Sequence, residues 1–137
     1  MPKTLILHTA AAAAEAQAIA DAARSVHFSE VDVRPVADGA PMDPATIAAY
    51  DALVFGGRAA ELAPVLDGLA AAGAAHPLRD KVGAVFGDDE AGMWRVLARL
   101  GGLGLLLVGP GEGTGLGRRV ATVAEWVRHA KSHHHHH

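Results

Sequence analysis

The chain is predicted to be an α/β protein, a three-layer sandwich in which helices cover both faces of a five-stranded parallel sheet. Short apolar runs alternate with longer stretches of helical periodicity, which is typical of βαβ units. The runs at residues 4–8 and 52–55 are apolar in the manner of central strands, whereas residues 27–36 alternate polar and apolar like an edge strand. With right-handed crossovers, these observations predict the strand order 2-1-3-4-5.

The first half of the chain supplies three strands, at residues 4–8, 27–36 and 52–55. A helix is predicted at about 13–25, because four small or apolar residues fall on one face there, namely Ala16, Ile19, Ala20 and Ala23. Asp43 followed by Pro44 is an N-cap with proline at the first helical position, which predicts a short helix to about residue 49.

The second half adds strands at residues 82–86 and 103–108. One helix is predicted at about 60–72, with Pro64 in or near its first turn. Another is predicted at about 91–100, where acidic residues precede the positive end of the helix dipole. The alternating glycines of residues 109–117 predict a flexible connection into a last helix at about 116–131.

Composition excludes several classes of function. The 137 residues include no cysteine, so disulfides, thiolate nucleophiles and cysteine-based metal sites are excluded. The net charge of −3 offers no basic surface for nucleic acid or anionic lipid. Without an apolar run of membrane-spanning length or a signal peptide, we expect a soluble cytoplasmic protein, with one domain at residues 1–131 and an expression tag at 132–137.

The strand order places any ligand site at the switch point, where strands one, three and four end. Three segments should meet there: residues 9–14, 56–58 and 87–90. Arg58 could hold an anionic ligand, or it could pair at the surface with Asp88 or Glu61. His8 could donate a proton, although a hydrogen-bonded structural histidine is the commoner case.

Two further sets of side chains allow more than one interpretation. The carboxylates of residues 88–90 could chelate Mg²⁺, but acidic residues before a helix more often cap it and complement its dipole. Trp94 and Trp126 occupy helical positions, where packing or subunit contact is expected rather than stacking on a cofactor.

Motifs in three places resemble one family. Residues 50–58 (YDALVFGGR) resemble the YDA-x-x-FG-x-x-R stretch of flavodoxin-like proteins, above all the WrbA-type flavin-dependent quinone reductases. Residues 116–124 (LGRRVATVA) are similar to the start of the final helix there, and residues 85–89 (VFGDD) are similar to a flavodoxin loop at the flavin edge. The chain departs from the family after its first strand, where five alanines replace a Ser/Thr-rich, Gly-containing phosphate loop.

The resemblance implies an FMN-binding oxidoreductase or electron carrier, with a redox protein or a quinone as its partner and no metal. The cofactor-binding residues that it implies are Thr9, Ala10, Ala11, Ala12, Ala13, Ala14, Gly56, Gly57, Arg58, Gly87, Asp88 and Asp89. Backbone N–H groups of the alanine turn would hold the phosphate. The alternative is a flavodoxin-like domain without a cofactor that acts as a binding or scaffold module, as a homodimer formed through exposed apolar helix faces.

Overall fold

A computed structural model describes residues 1–26, 29–36, 43–75 and 77–134. The strands are β1 (Lys3–His8), β2 (Glu30–Pro35), β3 (Ala52–Gly56), β4 (Val82–Phe86) and β5 (Leu106–Pro110). The helices are α1 (Ala13–Arg24), α2 (Pro44–Ala48), α3 (Ala59–Ala75), α4 (Glu90–Gly102) and α5 (Gly113–His134), with a 3-10 turn at Ala10–Ala12. Residues 27 and 28, at the predicted start of strand two, fall outside the described residues.

The five strands form one parallel sheet in the order β2-β1-β3-β4-β5, which confirms the predicted fold class and topology. The burial of β1, β3 and β4 is nearly complete along their length, whereas β2 is largely polar and lies at the edge. Apolar strands are central because helices cover them on both faces.

Two hydrophobic clusters lie on opposite faces of the sheet. One is built from large side chains under α2, α3 and α4, among them Leu53, Phe55 and Leu66. The other, under α1 and α5, is rich in alanine and valine. Small residues let α1 and α5 approach closely: a side chain on Gly117 would overlap the carbonyl oxygen of Ile19. On the face of the sheet under α1 and α5, the core is therefore filled by closely packed helices instead of by aromatic side chains.

The predictions for the last strand and the last helix are wrong at their boundaries. Strand five was expected at residues 103–108, but β5 is Leu106–Pro110, because α4 continues to Gly102 and Leu103 caps its end. Helix five was expected from residue 116, but α5 begins at Gly113. Glycine costs a helix only about 1 kcal/mol per residue, and packing against α1 offsets that cost.

A polar cluster lies at the end of the sheet away from the switch point. The buried Tyr50 donates its hydroxyl hydrogen to Asp32 Oδ2 at 2.6 Å. Burial, followed by the hydrogen bond and the negative charge of Asp32, raises the pKa of Tyr50 to about 12. Lys81 donates to the Tyr50 carbonyl oxygen at 2.6 Å, and burial lowers the pKa of this lysine.

Candidate functional site

The ends of β1, β3 and β4 meet through main-chain hydrogen bonds. The N–H of Thr9 donates to the carbonyl oxygen of Gly56 at 2.8 Å, and the N–H of Gly57 donates to that of Phe86 at 3.0 Å. The three segments that the sequence analysis placed at the switch point are therefore in direct contact. Loops after neighbouring parallel strands form the crevice in which ligands of this architecture bind.

Two glycines make this close approach possible. Gly57 has φ of 134° and Gly87 has φ of 81°, which is backbone that residues with a β-carbon rarely adopt. A side chain on Gly57 would overlap that of Thr9, and a β-carbon on Gly87 would lie 3.0 Å from the Gly57 nitrogen. The backbone of the crevice is thus fixed by the absence of side chains at these two positions.

The alanine segment forms the 3-10 turn and the first turn of α1. Thr9 caps it in an extended conformation, but its hydroxyl makes no capping hydrogen bond. Ala12 is buried, and its N–H donates to the Thr9 carbonyl oxygen at 3.1 Å. Ala10 and Ala11 are exposed. The N–H of Ala13 donates to the Ala10 carbonyl oxygen, which leaves the N–H groups of Ala10 and Ala11 as the backbone donors of this turn for an anion. The turn has no side-chain hydroxyls.

The two aspartates of the β4 loop act as helix caps. Asp88 Oδ2 accepts from the N–H of Ala59 at 2.8 Å, so this carboxylate caps the start of α3 from another part of the chain. Asp89 is the N-cap of α4, and its Oδ1 accepts from the N–H of Gly92 at 2.7 Å. Capping agrees with the commoner of the two interpretations of residues 88–90.

Arg58 forms no ion pair with any residue in the described ranges, so of its two interpretations the pairing with Asp88 or Glu61 does not occur. Its exposed side chain lines a cavity of about 620 Å³ together with Gly87, Asp88 and Asp89. A guanidinium at the edge of this cavity is available to an anionic group.

A second cavity, of about 450 Å³, adjoins the first at Gly87 and Asp88. It is lined by four carboxylates and four residues with uncharged side chains, namely Glu15, Asp88, Glu90, Glu112, Gly87, Met93, Pro110 and Gly111. The carboxylates face the crevice from α1, the β4 loop, α4 and the loop after β5. The adjoining cavity adds one cation, Arg58, to the carboxylates of both linings. The two cavities together are therefore acidic.

The sequence analysis missed Glu15, Met93 and Glu112 as lining residues. Glu112 follows the carboxyl end of β5, so the same rule about strand ends would have found it if the strand had been placed correctly. Glu15 lies in the first turn of α1, directly after the alanine segment. Its position next to the turn predicted to hold the ligand could have identified Glu15 as a lining residue.

The remaining candidates have structural roles or lie elsewhere. His8 is buried, and its Nδ1 lies 2.8 Å from the Thr9 carbonyl oxygen, to which the ring donates when Nδ1 carries the proton. Trp94 and Trp126 lie on the exterior of α4 and α5. No three His, Asp or Glu residues of the described ranges are grouped so that they could hold a metal ion. In the same ranges, no helix is both long and apolar enough to cross a membrane.

No family model and no curated protein matches the sequence of this chain. Its fold, in contrast, is similar to solved structures over nearly the whole chain. A flavodoxin from the domain Archaea is 19% identical, with a TM-score of 0.67 over 93% of this chain and 99% of that chain. A diflavin flavoprotein A3 from Nostoc sp. is 17% identical, with a TM-score of 0.64 over 97% of both chains.

Flavodoxin 2 from Bacillus cereus is 21% identical, with a TM-score of 0.58 over 93% of this chain and 99% of that chain. At these identities the likeness concerns the fold and not the chemistry of the site. Together with the strand order and the helices on both faces of the sheet, it shows that this chain has the flavodoxin-like fold.

Proposed function

We propose that the switch-point crevice binds FMN and that the protein carries electrons. The observation that supports this most directly is the convergence of the alanine turn, Arg58 and the Gly87 loop at one crevice. The structural neighbours include flavodoxins and a diflavin flavoprotein, which favours a flavin as the ligand. In this role the bound flavin supplies the electron-transfer chemistry, and the protein supplies binding and orientation.

The residues of the crevice fit a phosphomonoester through the main chain. Ala10 and Ala11 are exposed at the start of a helix, where N–H groups and the helix dipole favour an anion. Their methyl groups are the smallest side chains that still permit a helix, so they leave the N–H groups accessible. Arg58 adds one positive charge at the adjoining cavity.

The acidic lining sets the orientation of the cofactor. A phosphate carries up to two negative charges, and Glu90 and Glu112 lie on the β4 and β5 side of the crevice. Like charges repel, which favours the phosphate at the alanine turn, away from Glu90 and Glu112, and the uncharged ring system toward those two carboxylates. Glu15, in the first turn of α1, is the carboxylate of this lining that lies beside the turn, and it opposes a phosphate there. The electron partner that we propose is a redox protein or a quinone, as for the quinone reductases that the motifs resemble.

A specific observation favours a second function, a binding module without a cofactor. The alanine turn has no side-chain hydroxyl, and Thr9, the hydroxyl residue beside it, packs against Gly57 instead of capping the turn. Each charge-assisted hydrogen bond that is missing removes about 1.5–3 kcal/mol of interaction. The flavodoxin-like scaffold would then be retained for its surfaces.

Titration of the purified chain with FMN, followed by quenching of flavin fluorescence, separates the two functions. We expect saturable binding with a dissociation constant below about 100 μM, which corresponds to more than ~5 kcal/mol. The variant Ala11→Asp should weaken binding at least tenfold through repulsion of the phosphate. It should remain folded, because aspartate is favourable in the first turn of a helix.

The matched control is Ala18→Asp, which adds the same charge at an exposed position further along α1. Binding to this variant should equal that of the parent chain within about twofold. Ala12 is unsuitable for the test, because it is buried against Gly87. If no binding is detected at about 1 mM FMN, the affinity is too weak for a cofactor, and the result would favour the module without a cofactor. Equal binding by both aspartate variants would show that FMN does not sit on the alanine turn.

A further inference from the structure

The exposed large hydrophobic side chains are concentrated on one edge of the molecule. In the part of the chain that the structure describes there are five, of which Met1 is at the chain start. The others are Trp94 (54% exposed), Leu106 (46%), Leu107 (44%) and Trp126 (66%). They belong to α4, β5 and α5, and we call this surface the β5 edge.

The strand itself is only partly covered on each face. Consecutive residues of a strand point to opposite faces, and Leu106 and Leu107 are both nearly half exposed. Leu107 faces α4, since its Cδ1 lies 3.2 Å from a β-carbon built on Gly101. Leu106 shares its face with Val108, which belongs to the cluster under α5. Each helix layer therefore covers the outer strand only in part.

The two tryptophans flank this strand from the two helix layers. Trp94 precedes Gly101 by seven residues, or two helical turns, and so lies on the same face of α4, the face beside Leu107. Trp126 follows Arg119 by seven residues on α5, so these two residues lie on the same face of that helix. Arg119 lies at the end of β5, with its Nη1 3.5 Å from a β-carbon built on Gly109.

Helix α5 runs back along β5, as the helix of a βαβ connection does. Two turns of helix span about 11 Å, roughly the length of three strand residues. Trp126 is therefore placed beside the start of β5, on the face of Leu106. Tryptophan is the residue type most enriched among those that dominate binding energy at protein interfaces.

We infer that the β5 edge is the interface of a homodimer, in which β5 of two copies pair in antiparallel fashion across a two-fold axis. An edge strand with apolar side chains on both faces pairs readily with another strand unless charge or proline blocks it. The proline of β5, Pro110, is its last residue, so residues 106–108 remain for pairing. A two-fold axis requires the surface to be complementary to itself. A second copy brings the same leucines and tryptophans to both faces of the joined sheet.

The charges at the two ends of β5 agree with the antiparallel arrangement. Glu90 and Glu112 lie near its carboxyl end. At the other end, Arg79 lies beside Gly104, and Lys131 is 3.8 Å from Asp80. Arg119 at the carboxyl end and Asp80 at the other end carry the opposite charges, so the first end is acidic and the second basic in balance. Antiparallel pairing brings these ends of opposite net charge together.

The exposed apolar side chains supply part of the area that a dimer needs. A large aromatic side chain can bury about 150–250 Å², and Trp94 and Trp126 are 54% and 66% exposed, so the two together offer roughly 180–300 Å² of the ~800 Å² per partner found in stable interfaces. The two half-exposed leucines add to this area. The remainder would come from the strand backbone and the polar residues around it. This inference does not depend on what the switch-point crevice binds.

Sedimentation of the full chain from about 1 μM to about 1 mM tests the inference over the range of weak to moderate affinities. We expect a monomer–dimer equilibrium, with tryptophan emission shifting to the red on dilution. Leu106→Lys and Trp126→Arg, both at exposed positions, should each raise the dimer dissociation constant at least tenfold. Circular dichroism should show that both variants keep the fold.

Ala71→Lys is the matched control, because it adds the same charge at an exposed position of α3, away from the β5 edge. This variant should dimerise like the parent chain. A parent chain that is monomeric at every concentration overturns the inference, and the edge would then have to serve a different protein. A dimer that survives both Leu106→Lys and Trp126→Arg overturns it equally, because the copies would meet elsewhere.

Discussion

The carboxylate of Asp88 lies 2.8 Å from the backbone nitrogen of Ala59 and accepts its hydrogen bond, so a residue that follows β4 caps the helix that follows β3. Its other oxygen accepts from the N–H of Asp89, also at 2.8 Å. A side chain on Gly92 would overlap this carboxylate. One aspartate thus connects the β4 loop to the starts of α3 and α4.

We expect Asp88→Ala to lower the free energy of unfolding by about 1 kcal/mol, because loss of a helix cap costs roughly 0.5–2 kcal/mol. Asp89→Ala, which removes the N-cap of α4, should have an effect of the same size. Urea denaturation measures both. Arg95→Ala, at an exposed position of α4, should stay within about 0.5 kcal/mol of the parent. If Asp88→Ala were as stable as the Arg95 variant, the cap would have no energetic role.

Neutralising a crevice carboxylate should strengthen FMN binding. Two unit charges about 10 Å apart in water interact by about 0.4 kcal/mol, so Glu112→Gln should improve the affinity for a dianionic phosphate about two- to fourfold at low salt. The gain should disappear in about 0.5 M salt, where screening is strong. Fluorescence titration at both salt concentrations measures the effect. A gain that does not depend on salt would point to a change of shape and not of charge.

Tyr50→Phe should destabilise the fold by about 1.5–3 kcal/mol near neutral pH, because the hydroxyl donates to the charged Asp32. The pKa of the phenol is raised to about 12, so its contribution is complete below about pH 10 and is lost as the pH rises toward about 12. The stability difference between parent and variant should therefore shrink between about pH 10 and pH 12. The lowered pKa of Lys81 acts on both proteins and cancels in this comparison.

Two glycines of α5 should respond in opposite ways to the same substitution. Gly115→Ala should raise the free energy of unfolding by about 0.5–1 kcal/mol, because its β-carbon would meet nothing within 4 Å and alanine favours the helix. Gly117→Ala should lower it by about 1–3 kcal/mol, because its β-carbon would overlap the Ile19 carbonyl. Thermal or urea unfolding measures both. Equal effects would mean that α1 and α5 do not pack as described.

The order of the strands was predictable from the sequence because burial leaves a clear pattern. The apolar runs of β1 and β3 differ visibly from the polar edge strand β2. Asp43 before Pro44 fixes the start of α2, where Asp43 Oδ1 accepts from the Ala45 N–H at 3.1 Å. Such local signals depend on neighbours in the chain and need no knowledge of tertiary contacts.

The end of the chain was less predictable, since tertiary packing decides it. The leucines from Leu103 onward show no alternation that would fix where β5 begins. The glycines of the segment after β5 suggest a loop, yet Gly117 is required where α5 crosses α1. For the same reason the capping of α3 by Asp88, a contact between residues 29 positions apart, leaves no local signal.

The loops of the crevice hold one another through main-chain atoms, such as the Gly57 N–H and the Phe86 carbonyl. The side chains of Ala10 and Ala11 take no part in that arrangement and lie exposed beside it. The scaffold and the chemistry of this turn are therefore separable. Serine, threonine or asparagine could be introduced at Ala10 or Ala11 without rebuilding the backbone, so the contribution of each polar side chain to anion binding could be measured one substitution at a time.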